Sequence, residues 1–329
     1  MKKIVACLLF VAVAFPVTLW AAATIKELKL ADGYDDDNTI SSPVFDSTSA
    51  LPLKLGSIAA AYDRGKKIVR KGGGGFFTKG PEYNLDKKID LAEMLTEALG
   101  NEAPALGFRL ADGEGEAWEI QGTLEDIYLE SSQVYMGATL FYGFMDVELQ
   151  IRRAGGEPVI ERLRAHNFHG AYNAGMGRRD EAKEALAHLL VEGAQEILAR
   201  LNRAHFKAPL RPDVESSIAK LDSATPNDLH RLGLSGSAAA SAAIADLLPT
   251  KDDEHDRALL INALGRIGAQ AAVGILVSRY GDEDEDCRWY TLKALDYIGG
   301  DEAMSLVEEQ GTEDDHEACE RLSKRILGS

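Results

Sequence analysis

The sequence predicts an α+β domain, an antiparallel sheet packed with helices, followed by an all-α solenoid. Three observations predict that fold class. A twelve-residue phrase recurs thirty-one positions apart, as Arg257-Ala-Leu-Leu-Ile-Asn-Ala-Leu264-Gly-Arg-Ile-Gly268 and Arg288-Trp-Tyr-Thr-Leu-Lys-Ala-Leu295-Asp-Tyr-Ile-Gly299. One such repeat cannot bury its apolar stripe alone, so neighbours stack and leave a long outer surface for partners. Apolar and polar residues alternate around Trp118, Ile120, Gly122 and Leu124, and again around Val147, Leu149 and Ile151, the period of half-buried strands. Helical spacing holds over 86–99 (Ile89, Ala92, Leu95, Leu99) and 179–203 (Leu186, Leu189, Leu190, Ile197, Leu198, Leu201), so helices are expected mainly on one face of the sheet.

The elements follow in order. Lys2-Lys3, the apolar run Ile4 to Trp20 and the small residues Ala21-Ala22-Ala23 read as an export signal, residues 1–23. Cys7 lies too early in that run for lipidation, so the mature chain is expected without a stable membrane anchor. The expected compartment is the bacterial periplasm or the exterior. Ile25 to Leu30 and Leu51 to Ala60 read as strands, separated by a polar loop with Asp35-Asp36-Asp37. A basic glycine-rich excursion runs from Lys66 to Phe77, and Gly107 to Leu110 starts another strand. Gly155-Gly156 is a hairpin turn into a strand over 158–168. This domain spans 24–205. Residues 206–225 form a linker with a short joining helix over 214–221. Repeats then fill 226–329, with second helices to Leu248, over 269–280 and over 301–310, and a last helix over 317–327.

Charge narrows the partners. The formal net charge is −17, or −19 without Lys2 and Lys3. From Lys251 to Ser329, nineteen Asp and Glu stand against nine Lys and Arg. Such a surface repels nucleic acid and anionic lipid and attracts a basic protein.

Two families are similar in residue pattern. Asp63-Arg64, Asp90-Leu91, a helix, Gly107-Phe108, strands and a final helix make 24–205 resemble the YajG-like bacterial envelope lipoproteins, without their lipidation cysteine. The resemblance implies an envelope location and no catalytic residue. The repeated phrase makes 226–329 resemble HEAT-like repeats, which implies protein binding. In that class an arginine at the position of Arg257 and Arg288 pairs with a neighbouring carboxylate. Leu264, Gly268, Leu295 and Gly299 are the matching repeat positions.

Candidate sites are few. The stretch Val134 to Met145 is the most apolar of the mature chain. Its Tyr135, Phe141, Tyr142 and Phe144 read either as a buried strand and bend or as an exposed contact surface for a partner. His166 and His169 point to opposite faces of a strand, so a shared metal is not expected. Gly72 to Gly75 lacks the spacing of a phosphate loop. Asp282 to Asp286 lacks the alternation of a calcium loop and reads as solvated acid. Cys287 and Cys319 form a disulfide if their side chains face each other, and are otherwise two buried thiols. No nucleophile constellation, cofactor motif or metal motif is present.

The expected function is a non-enzymatic envelope adaptor that binds a basic or envelope-associated protein. The alternative is a carrier holding a lipid, glycan or hydrophobic ligand near Tyr135 to Phe144. Burying Arg257 unpaired would be costly, so Arg257→Ala is expected to lower the melting temperature. An unchanged Tm in thermal denaturation contradicts a structural role for that arginine.

Overall fold

The fold is known from a computed structural model. It describes residues 23–35, 38–46, 48, 50, 52–71, 81–111, 113, 115–133, 139–171 and 178–328. The candidate export signal up to Ala22, the Gly72 to Gly75 run and Tyr135 lie outside them.

The first half is one seven-stranded sheet with two long helices. Its strands are β1 (Ala23–Ile25), β2 (Leu53–Ala60), β3 (Val69–Lys71), β4 (Tyr83–Leu85), β5 (Trp118–Gln133), β6 (Thr139–Arg153) and β7 (Val159–Ala171). Along the sheet they run β1-β4-β3-β5-β6-β7, with β2 also paired to β5. The sheet is mixed, which corrects the antiparallel expectation. The long strands β5, β6 and β7 form an antiparallel meander, but β2 and β3 both run parallel to β5. Parallel neighbours need a crossover connection, and the long chain between β2 and β5, which includes α1 (Leu91–Leu106), supplies it. Leu53 pairs with Trp118 and Val69 with Leu129, so β2 and β3 share one edge of β5 end to end.

Local chemistry sets the helix ends. The Asp90 carboxylate accepts from the N–H groups of Ala92 and Glu93 at the start of α1, and Gly107, at φ 103°, ends it. The expected strand from Gly107 is replaced by this cap and a single bridge, Leu53 to Leu110. β1 stops at Ile25, and the chain turns over Gly33, where an added Cβ would lie 2.4 Å from the Ala187 carbonyl carbon. That close approach fixes the early loop on α2 (Arg178–Leu201).

The second half is helical. After α3 (Pro212–Ser217), the helices α4 (Pro226–Ser235), α6 (Glu254–Ile267), α8 (Glu285–Ile298) and α10 (Glu317–Leu327) each pack on the next. The helices α5 (Ala238–Leu247), α7 (Val273–Arg279) and α9 (Asp301–Glu309) alternate with them in the chain. Gly236, Gly268 and Gly299 end α4, α6 and α8 with φ near +70°, which L side chains resist, and the first two adopt the left-handed helical turn. Leu264 and Leu295 are fully buried. Gly265 faces Ala294 so closely that an added Cβ would fall 2.5 Å from its Cα.

The helices wrap the β7 side of the sheet and do not trail away from it. α2 covers one face: Gly193 would meet Met145 and Ala165 if it carried a Cβ. α8 and α10 cover the aromatic end of the other face, where Tyr142 lies 5.6 Å from Trp289 between ring centroids. The buried apolar residues of both halves join in one cluster. Both faces of this end of the sheet are therefore dry, which departs from the one-faced expectation.

The Gly265 contact gives a local test. Gly265→Ala is expected to destabilise by about 1–3 kcal/mol through overpacking against α8. Gly274→Ala, where a Cβ meets nothing within 4 Å, should change stability by less than about 1 kcal/mol. Urea denaturation distinguishes them, and equal midpoints would contradict the close α6–α8 packing.

Candidate functional site

The aromatic stretch is already occupied by the chain itself. Phe141, Tyr142 and Phe144 are 0%, 1% and 2% exposed. Tyr142 and Phe168 pack on Trp289 of α8, and Phe144 stacks on Tyr128 and meets the His166 ring edge. Alternation explains the placement: Tyr142, Phe144, His166 and Phe168 share the sheet face that α8 and α10 cover.

The repeat arginines bind the following repeat. Arg257 Nε donates to Glu283 at 2.8 Å and its Nη2 to Asp284 at 2.6 Å. Arg288 lies 3.2 Å from Asp314 and 2.9 Å from Asp315. Glu283, Asp284 and Cys287 are the one close group of possible metal ligands among the described residues. Its carboxylates are spoken for: Glu283 also accepts from Arg279, and Asp284 caps α8. Cys287 and Cys319 are two free, buried thiols, so the disulfide alternative is not realised. Each thiol donates toward a carbonyl of the preceding repeat, Glu254 and Glu285, and burial pushes both well above the usual thiol range. They face along the stack and not toward one another.

A buried polar chain joins the two halves. Glu196 of α2 accepts from Arg266 Nε of α6 at 2.8 Å and from the Tyr297 hydroxyl of α8 at 2.5 Å. Lys293 Nζ lies 3.5 Å from the same carboxylate. Arg266 also donates to Glu192 and to His230 Nδ1 of α4, and His230 Nε2 then donates to Gln195 at 2.7 Å. Gln195 in turn donates to Glu102 of α1, which accepts from the Tyr34 hydroxyl. Burial alone would raise the Glu196 carboxyl, but Lys293 and Arg266 outweigh it and hold it down near 2. Burial, reinforced by Arg266, holds His230 well below the usual histidine value, so it stays neutral.

The same side chains seal the sheet edge. The outward N–H of His166 donates to the Tyr297 hydroxyl at 2.8 Å, and Arg200 donates to the Arg164 carbonyl at 2.9 Å. An open edge invites pairing with another chain, and here the helices take its polar groups. His166 Nε2 pairs with Asp296, whereas His169, on the opposite face, lies against His188 at 5.0 Å. The two histidines do not share a site.

Between β7 and α2 on one side and α4, α6 and α8 on the other lies a cleft of about 690 Å³. Asn167, His169, His188 and Glu192 line the first wall, and His230, Asp253, Glu254, Asn262, Arg266, Asp286 and Tyr290 the second. Asn38 donates to the Gly33 carbonyl and lies 2.9 Å from His188 Nδ1, so Nδ1 accepts and Nε2 carries the proton toward Asp35. Burial, then His188, lowers His169 to about 4. The cleft is acidic and holds hydrogen-bonding groups, but it brings together no nucleophile and base. Sequence reading missed it, because its walls come from segments more than thirty residues apart.

No family model matches the chain, and no curated protein matches it. Among solved structures, a Xanthomonas campestris protein of the family designated DUF330 is 10% identical with a TM-score of 0.33, covering 48% of this chain and 90% of that one. A minor lipoprotein from Acinetobacter baumannii is 14% identical with a TM-score of 0.28, covering 50% and 99%. An uncharacterized protein is 15% identical with a TM-score of 0.28, covering 46% and 92%. These scores are too low to place the chain among them. Among the described residues, no helix is long and apolar enough to cross a membrane.

The network makes a signed prediction. Glu196→Gln leaves Arg266 and Lys293 buried without their carboxylate and is expected to cost about 3–5 kcal/mol at pH 7. Because the folded value is depressed, this stability is complete above the unfolded carboxyl value of about 4.3 and is lost as pH falls toward about 2. Urea titrations should therefore show the two proteins converging as pH falls through that window. A constant difference contradicts an ionised Glu196.

Proposed function

We propose that the chain is an exported, non-enzymatic adaptor of the bacterial cell envelope, whose stacked HEAT-like helices present an acidic outer surface to a basic partner protein. One observation carries this reading. The inner helices are consumed by the chain's own sheet and α2, while Asp301, Glu302, Glu308 and Glu309 of α9 all stay exposed. Exposed Asp252, Asp282, Glu285, Glu313 and Asp315 extend the acid along the turns between helices. A surface of one sign speeds encounter with a basic partner and loses hold as salt rises. The leader-like segment before Ile25 and the resemblance of 24–205 to YajG-like proteins support the compartment. A carrier pocket near Tyr135 to Phe144 would need those rings to line a cavity, and Phe144 and Tyr142 are packed against Tyr128 and α8 instead, with Phe141 fully buried.

The test uses the intact mature chain, since one shared core makes separate halves poor reagents. Wild type and a variant carrying Asp301→Asn, Glu302→Gln, Glu308→Gln and Glu309→Gln are cross-linked in envelope extract, and partners are identified by mass spectrometry. A basic protein captured by wild type, lost from the variant and released by high salt is expected. Equal capture by both proteins contradicts the outer acidic face as the binding surface.

A further inference from the structure

The cleft between the halves has its own chemistry, and it differs from that of the outer surface. Five carboxylates line it: Asp35, Glu192, Asp253, Glu254 and Asp286. Arg266 is the one Lys or Arg in that lining, and it is already held by Glu192 and Glu196. His230 is neutral because its Nδ1 accepts from Arg266, and burial keeps His169 neutral down to about 4. Asp253, Glu254 and Asp286 make no ion pair among the described residues, so the second wall carries uncompensated negative charge. Burial, and then the neighbouring Asp284, hold the Asp286 carboxyl above its usual range, a cost that an arriving cation relieves.

A second observation points to a ligand rather than to a solvated acidic cluster. Asn167 is 5% exposed, lines the cleft, and its Nδ2 has no hydrogen-bond partner. Across the cleft the Asn262 Oδ1 is also buried and unpartnered. Native proteins rarely leave such groups unsatisfied, and these two lie on facing walls of the same cleft. One is a donor and the other an acceptor, the complement of a peptide carbonyl and a peptide N–H. Phe168 and Tyr290 add aromatic faces on which a cation can rest. Phosphate or other anionic ligands are disfavoured by the same carboxylates.

We propose that this cleft receives a basic peptide segment, with a Lys or Arg side chain against Asp253, Glu254 and Asp286 and its peptide groups against Asn167 and Asn262. This rests on the reading that the partner is a basic protein, and it assigns the specific contact to the cleft and the steering to α9. A free polyamine shares the charge but not the peptide carbonyl, so it cannot satisfy Asn167.

The experiment measures binding of a dye-labelled, capped Gly-Arg-Gly-Lys-Gly peptide to the full mature chain by fluorescence anisotropy, with spermidine as competitor. Glu254→Gln combined with Asp286→Asn is expected to weaken the peptide by about tenfold or more. Glu308→Gln combined with Glu309→Gln, an equal loss of charge on α9, should change it less than about twofold, since the pair lies outside the cleft. Asn167→Ala should weaken the peptide and leave spermidine unchanged. Equal weakening by the two charge pairs, or spermidine binding as tightly as the peptide, overturns the proposal. If the cleft variants still capture the basic partner of the acidic surface, the cleft assignment fails and the adaptor reading stands. If the peptide binds in the cleft while the α9 variant keeps its captured proteins, the adaptor surface is wrong and the cleft stands.

Discussion

Everything in this structure depends on one buried carboxylate being shared. Glu196 projects from α2, the helix that covers the sheet, and meets Arg266, Lys293 and Tyr297 from two successive helices of the stack. Through Arg266, His230 and Gln195 the same chain of hydrogen bonds reaches Glu102 and the early loop at Tyr34. Burying these charges is costly, and apolar side chains of similar volume would hold the halves together at least as well. What the network adds is register. The donors of Arg266 are shared among Glu196, Glu192 and His230, so α4 and α6 are tied to α2 together, and Lys293 and Tyr297 tie α8 to the same carboxylate.

Seating the stack on α2 determines what is left for function. The inner face of the helices and the β7 edge are spent on the chain itself, through Trp289, Tyr297 and Arg200. At the far end, Arg321 and Arg325 of α10 pair with Glu130 and Asp146 of the sheet, so the last helix is also tied down. The outer helices keep their acid in solvent. Between β7 and α2 on one side and the helices on the other, a cleft remains that is lined by carboxylates and by an unpartnered amide atom on each wall. A shared core holds the walls of that cleft in fixed positions.

Much of the architecture was legible because it is periodic. The doubled phrase marked α6 and α8, and its terminal glycines became caps with positive φ. Alternation marked β5 and β6 because each buries one side, Ile120 and Leu124 on β5 and Val147, Leu149 and Ile151 on β6. Parallel pairing was not legible, since alternation reports which face is buried and says nothing of strand direction. The short strands β3 and β4 are three residues each, too brief for a pattern. The aromatic stretch was ambiguous for a physical reason: a surface made to bind another element looks the same whether that element lies in another protein or later in the chain. One signal of the network was available. Six residues before each terminal glycine stand His230, Asn262 and Lys293, polar residues on a helix face that otherwise buries leucine and alanine. Polar residues recurring at one repeat position mark the inner surface of the stack and the cleft. The charged partners Glu192 and Glu196 lie on α2, outside the repeats, where no period links them to Arg266.

The central claim is that the sheet, α2 and the helical stack open as one unit. Native-state hydrogen exchange across a urea series measures this directly in the wild-type chain. The account predicts that core amides of α2, α6 and α8 and of β6 converge on a single opening free energy and a single urea dependence. Exchange from α6 through α10 at low urea, with α2 and the sheet still protected, would contradict it.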